Sequence, residues 1–492
     1  MSSPCDPCDL DSLHRRVAAK LGSEAADKIG VREIVVDENA LRLLPDRIRN
    51  DSAEASDVVL VWDDRPMSRG GVSLKPLVHE AVKEAGLPVR LVELTRNLHA
   101  DDEAAGTVLD ALDEGSMVVS VGSGNLTDTC KHACYLFAER GGLHLPLICF
   151  PTANSVNAYS SALAILIVNG VKRSLPSVLP DVILCDLPTL CSAPPAMQLA
   201  GLGDLLARCV APGDWYLANV LGMDDTFREE IYELLDGLTR FVLDAAPEIG
   251  RQTLEGTRVL TKALILSGLL LTAARQTAPL SGWEHVMSHY LDLVALARGR
   301  PLGLHGAQVG VATIVSARAY ELLLERARPS DYPALQVFPD PESIRRQIEA
   351  HFAPFDPDGT RRAELWSDCR DKLSHWKVHQ DRWRSFCSDW EAGKIQTTLK
   401  RLVRPPRVVH HALSAAGAAT TFAQLDPPVD ADLALATIRH AHLVRQRFTL
   451  GDLLSSCALL STIMPSESPC ATRGSRPIRD RQHQKTAQNR GR

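Results

Sequence analysis

The chain has 492 residues, 45% of them hydrophobic and 23% charged, with a formal net charge of −6. That length exceeds what one core ordinarily supports, so two domains are expected, and the composition excludes a collagen-like or wholly disordered chain. A net acidic body argues against nucleic acid as a partner, because a phosphate backbone calls for a basic surface.

The N-terminus, MSSPCDPCDLDSLHRR, lacks the apolar core of a signal peptide, so a cytoplasmic chain with twelve reduced cysteines is expected. Cys5 and Cys8 have the spacing of half a zinc knuckle, but no second pair follows nearby. Residues 1–30 therefore read as a partly helical extension that begins as a free tail. Over 31–193, short apolar runs alternate with helix-like segments: EIVV, DVVLVWD, VRLVEL, MVVSVG, LPLICF and DVILCD. This is the rhythm of a parallel sheet covered by helices, an α/β domain. Before the last run, Asn169-Gly170 divides two extended stretches and predicts a hairpin.

Gly122 closes MVVSVG, and with Ser123 and Gly124 it forms the turn that precedes an amphipathic helix. A turn without Cβ atoms lets the backbone approach a pyrophosphate and aim the first helical N–H groups at it; the steric needs of a tight strand-to-helix turn explain the same glycines. Asp63 closes DVVLVWD, where a carboxylate can accept hydrogen bonds from an adenosine ribose or simply serve its loop. Together the two places point to a dinucleotide, NAD(P).

After Pro194, leucine and alanine recur at three- and four-residue spacing, and 194–460 reads as a helical domain. Its longest apolar stretch, Ala263 to Ala274, falls short of the roughly 20 residues that cross a bilayer, so no membrane span is expected. AGLGDLLAR offers Asp204 at a helix start, SGWEHVMSHYLD offers His285 within a helix, and LGLHGAQVG offers His305 before a glycine. One carboxylate and two imidazoles leave a divalent metal an open position, as catalytic sites require. Singly, each has a plainer use: Asp204 as a helix N-cap, His285 with His289 as an i, i+4 pair, His305 as a capped loop histidine. Residues 461–492, rich in Ser, Pro, Arg and Gln, read as a disordered basic tail.

With GSGNLTD (122–128), FPTANSVNAYSS (150–161), GVKRSLPS (170–177), DW (214–215) and IRHAHLVRQRFT (438–449), these segments resemble the sn-glycerol-1-phosphate dehydrogenases, in particular their bacterial branch. That family lies within the iron-containing alcohol dehydrogenase and dehydroquinate synthase-like superfamily. The resemblance implies a Rossmann-like N-terminal domain, an all-α C-terminal domain and an active site between them. It puts a zinc or nickel ion on Asp204, His285 and His305, the dinucleotide loop on Gly122, Ser123, Gly124 and Asp128, and further cofactor contacts on Thr152 and Ser155. The implied reaction is the reversible, NAD(P)H-linked reduction of dihydroxyacetone phosphate to sn-glycerol 1-phosphate, which belongs to phospholipid metabolism. A small phosphorylated substrate is thus the expected partner, and a homo-oligomer is compatible with the family.

One departure stands out. The family usually has Asp-Gly where this chain has Asn157-Ala158, and an amide keeps hydrogen-bonding capacity while losing the charge. This leaves open another phosphorylated or phosphonate carbonyl substrate, or a catalytically degenerate homologue that only binds metal or nucleotide. His289, one helical turn from His285, is a candidate to relay a proton through water or hold a substrate hydroxyl, or else to orient the site from behind. Lys172 and Arg173, just past the hairpin turn, could meet the phosphate or face solvent.

Overall fold

The computed structural model describes residues 5–51, 55–95, 99–332, 338–457 and 459–460. Among these, ten strands occur in chain order: β1 (Glu33–Asp37), β2 (Asp57–Asp63), β3 (Ser68–Arg69), β4 (Val72–Ser73), β5 (Val89–Leu94), β6 (Ser116–Gly122), β7 (Leu147–Pro151), β8 (Leu163–Val168), β9 (Val171–Pro176) and β10 (Val182–Asp186). Six form one sheet in the order β1-β10-β7-β6-β2-β5, and every pair in it is parallel.

The central strands are apolar because both their faces are covered. Val59, Val61, Val118 and Cys149 point to one face, where Leu126, Cys130 and Ala133 of the helix Gly124–Glu139 pack. Val58, Leu60, Val119 and Phe150 point to the other, against Leu44, Ile48, Leu74 and Val78. This two-residue alternation is the pleat expressed in burial. The edge strands β1 and β5 are only intermittently buried.

No strand follows Asp186 among the described residues; from Leu187 onward the chain is helical. The helix Leu254–Ala274 begins well upstream of the apolar stretch read from sequence and has 21 residues, long and apolar enough by length and composition to cross a membrane. The apolar stretch itself is as short as read; only the whole helix, with Glu255, Arg258 and Lys262 in its first half, reaches that length. Most of the helix is buried inside the protein, and Lys262 within it reaches Asp6 at 2.7 Å.

That ion pair also corrects the free tail. Cys5 and Cys8 pack against the core, and burial pushes the Cys8 thiol up to about 11. All eleven described cysteines are free thiols. The basic segment 461–492 lies outside the described residues.

The β8–β9 hairpin turns at Asn169 (φ 51°) and Gly170 (φ 73°), as the Asn-Gly pair predicts. It ties the sheet side to the helical side. Asp128 accepts from Ile165 N at 3.1 Å and Lys131 donates to Leu163 O at 2.8 Å, while Lys172 meets Asp292 at 2.7 Å and Arg173 meets Glu364 and Asp368 at 2.7 and 2.6 Å.

Candidate active site

Asp204 lies near the C-terminal end of the helix Pro195–Leu206, not at a helix start, so the N-cap use falls away. The glycines around Asp204 and His305 let two backbones touch. A Cβ on Gly203 would sit 2.1 Å from Gly306 O, and one on Gly306 would sit 1.9 Å from Ala200 O. Side chains there would force the helices Pro195–Leu206 and His305–Arg326 apart, and Asp204 away from His305. His305 is the first residue of its helix rather than a loop residue.

His285 stands in the first turn of the helix Trp283–Ala297. That turn is held by Asp214, whose Oδ2 accepts from Trp283 N at 2.7 Å and Leu450 N at 3.3 Å, and to which Tyr320 also donates. Burial and the nearby Glu284 push the Asp214 carboxyl up to about 7.

Asp204, His285 and His305 each present a ligand atom, and all three lie within 4.8 Å of one another. Asp204 Oδ1 is 3.3 Å from His285 Nε2 and 3.7 Å from His305 Nε2, yet it is buried and well aligned with neither. The rear nitrogens are held: Glu284 Oε1 is 2.9 Å from His285 Nδ1, and Ser288 Oγ is 2.8 Å from His305 Nδ1. Burial opposes charge on His285, but Asp204 and Glu284 on either side raise it to about 9. The His305 imidazole is driven well below its ordinary value by burial and by the neighbouring cations. A carboxylate orphaned between two imidazoles whose far nitrogens are fixed is a donor set that fits a divalent cation. The ion would take the place of the His285 proton.

His289 lies beside the trio, its ring 5.4 Å from that of His305, and its Nδ1 is buried without a hydrogen-bond partner among the described residues. Burial, aided by the charge of Arg445, keeps the imidazole neutral. His289 also forms a second acid–histidine group with Asp292 and His305, but Lys172 already engages Asp292.

Gly124, Asp128, Asn157, Lys172, Asp204, His285, His289 and His305 line one cavity of about 170 Å³. Asn157 Nδ2 donates to Ser267 Oγ at 3.1 Å; that hydroxyl donates to Leu264 O at 2.8 Å, which fixes the amide. Asp128 is buried, and burial raises its carboxyl despite Lys131 at 3.4 Å. Lys131 is itself wholly buried and donates to Ala158 O at 2.7 Å, so it pins the loop carrying Asn157.

The remaining expected residues line up elsewhere, along the carboxyl edge of β2, β6 and β7. Asp63 ends β2, buried, with its carboxyl raised by burial and accepting from Arg65 N at 3.1 Å. Thr152 N donates to Gly122 O at 3.0 Å, and Ser155 is buried just beyond. Ser123 begins the helix Gly124–Glu139 without a side-chain cap, which leaves a helix N-terminus facing this edge. The steric account of the glycines also holds: a Cβ on Gly122 would meet Leu126 at 2.5 Å, and one on Gly124 would meet Val156 at 2.4 Å.

Sequence reasoning missed Lys131, Glu284, Ser288 and Gln308. Their spacing carries the signal in retrospect: Glu284 adjoins His285, and Ser288 and Gln308 each follow a candidate ligand histidine by three residues. Arg173 and Lys172 are not solvent-facing cations, because both are engaged in ion pairs.

Residues 35–194 match the family described as iron-containing alcohol dehydrogenase. The glycerol-1-phosphate dehydrogenase [NAD(P)+] of Halalkalibacterium halodurans is 31% identical over 298 residues, 60% of this chain and 71% of that protein. The protein of the same name from Geobacillus thermodenitrificans is 30% identical over 347 residues, 65% of this chain and 83% of its own. Among solved structures, the iron-containing alcohol dehydrogenase of Thermococcus thioreducens superposes with a TM-score of 0.53 at 16% identity, covering 88% of this chain and 98% of that one. The fold is shared with that enzyme: a Rossmann-like α/β part followed by an all-α part, as in the dehydroquinate synthase-like proteins.

Proposed function

The chain belongs to the glycerol-1-phosphate dehydrogenase family, and on that premise we propose that it reduces dihydroxyacetone phosphate to sn-glycerol 1-phosphate, reversibly, with NADH or NADPH and one zinc or nickel ion. The observation that carries this reading is the convergence of Asp204, His285 and His305 in a cavity also lined by Gly124, Asp128 and Asn157. The reading keeps the division of the chain after about residue 193 and a cytoplasmic location.

In this reading Asp204, His285 and His305 hold the metal, and Gly122, Ser123, Gly124, Asp128, Thr152, Ser155 and Asp63 hold the dinucleotide. When bound, the ion polarises the ketone and the nicotinamide supplies the hydride. Glu284 and Ser288 keep the two imidazoles turned inward. His289, held neutral, accepts a hydrogen bond from a substrate hydroxyl or passes a proton between water and the product oxygen. Asn157, its amide fixed by Ser267, orients the substrate without adding charge.

Asn157 also favours a second reading, in which the substrate is another phosphorylated or phosphonate carbonyl compound. The retained ligand trio weighs against a degenerate binding homologue, which has no chemical use for an open coordination position. The test is oxidation of NADH and NADPH by the zinc- or nickel-loaded protein with dihydroxyacetone phosphate. Turnover that disappears on chelation supports the reading; metal-loaded protein that binds NADH but leaves this ketone untouched overturns it.

A further inference from the structure

The cavity holding the ligand trio shares Ser174, Thr277, Ser281 and His289 with a wider neighbour of about 650 Å³. Five lysine and arginine side chains line the pair, and four of them are engaged. Lys172 is 2.7 Å from Asp292, and Arg173 bridges Glu364 and Asp368. Lys372 is 2.7 Å from Asp452 and donates to His442 O at 2.6 Å. Arg447 donates to Ser281 O and to Thr277 Oγ1.

Arg445 is the exception. Among the described residues it makes neither a hydrogen bond nor an ion pair, although it is partly buried on the cavity wall. Burial pulls its guanidinium down to about 10, and Arg173 adds to the effect; Asp368 and Asp292 oppose it from carboxylates that already serve Arg173 and Lys172. A cation drawn out of water without a partner is unfavourable until an anion arrives. Arg445 lines the wider cavity together with His289, which also lines the cavity of Asp204, His285 and His305, so the place it prepares for an anion adjoins the proposed metal ligands.

We propose that Arg445 binds the phosphate of the carbonyl substrate, with the ketone turned toward Asp204, His285 and His305; the assignment rests on the reaction read above. A planar guanidinium suits this role because two parallel N–H groups match two phosphate oxygens. Lys172 and Arg173, nearer in sequence to the hairpin turn, are structural ties.

The test compares zinc-loaded native protein with Arg445→Met and Arg445→Lys. Dihydroxyacetone phosphate and unphosphorylated dihydroxyacetone are assayed side by side, NADH and NADPH binding are followed by fluorescence, and inorganic phosphate is titrated calorimetrically. In Arg445→Met the ratio of kcat/KM for the phosphorylated over the unphosphorylated ketone should fall on the order of 100-fold, chiefly through KM. Phosphate binding should vanish and dinucleotide binding should hold. Arg445→Lys should show a smaller fall in the ratio, and it decides the matter if the methionine variant fails to fold. An unchanged ratio with both rates lowered together, or weakened NADPH or NADH binding, overturns the assignment. If the native protein reduces neither ketone, the proposed reaction fails, but the phosphate titration still judges Arg445: binding by native protein that is lost in Arg445→Met sustains it, and no binding, or equal binding in both, overturns it.

Discussion

Ser288 Oγ lies 2.8 Å from His305 Nδ1. The same hydroxyl donates to Gln308 Oε1 at 2.7 Å, so toward the imidazole it can only accept. His305 therefore carries its proton on Nδ1 and turns a bare Nε2 to Asp204. Ser288→Ala should lower zinc affinity about 10- to 100-fold with the helical content intact. Competition with a chelating dye measures it, and native affinity in the variant would mean that something other than Ser288 sets the tautomer.

Removing a ligand should have a sharper result. His285→Ala leaves Asp204 and His305 as the remaining pair, and metal content and turnover should be lost together. X-ray absorption on the zinc-loaded native protein should give ligand distances of about 2.0 to 2.2 Å. Full metal occupancy in the variant would sink the assignment.

Asn157→Asp restores the family's charge. Ser267 can swing its hydroxyl from Leu264 O to the new carboxylate, so the side chain is accommodated. A gained or lost charge-assisted hydrogen bond amounts to about 1.5 to 3 kcal/mol, and the rate with dihydroxyacetone phosphate should shift by roughly 10- to 150-fold. Equal kcat/KM in both proteins would show that position 157 has little influence; activity only in the aspartate variant would favour a degenerate native protein.

Stability should decline in acid through His442, which is buried beside Lys372 and pushed down to about 4, chiefly by burial. The folded value lies below the unfolded value near 6.5, so the unfolded chain takes up the proton first as pH falls. The neutral histidine's contribution is complete above about 6.5 and is lost progressively toward about 4, by at most about 3 kcal/mol. His442→Leu should flatten that limb in urea unfolding measured across the window; an unchanged slope would place the acid sensitivity elsewhere.

The sheet was legible because strands covered on both faces must be apolar throughout: DVVLVWD became β2 at its read boundaries, Asp57–Asp63. The hairpin was legible because Asn169-Gly170 accepts positive φ cheaply. Other features depend on partners far away in sequence. Nothing local distinguishes Arg173, tied to residues some 190 positions on, from Arg445, which has no such tie among the described residues. Nor can a local pattern show that Asp6 meets Lys262 and docks the N-terminal segment. The position of Asp204 near the end of its helix, not at a start, depends likewise on packing against a helix some 100 residues on.

Those glycines narrow the routes by which this protein could be made more thermostable. Replacing helix-interior glycine with alanine ordinarily gains several tenths of a kcal/mol by restricting the unfolded chain. Gly201, Gly203 and Gly306 are the obvious targets for such a substitution, yet a methyl on any of them would lie within 2.1 Å of a carbonyl oxygen of the opposing backbone. A propensity score would recommend changing them, and a selection for heat resistance alone would be testing changes that, at Gly203 and Gly306, separate Asp204 from His305. Loop glycines such as Gly30, with open space around the added carbon, are where an engineer has room to work.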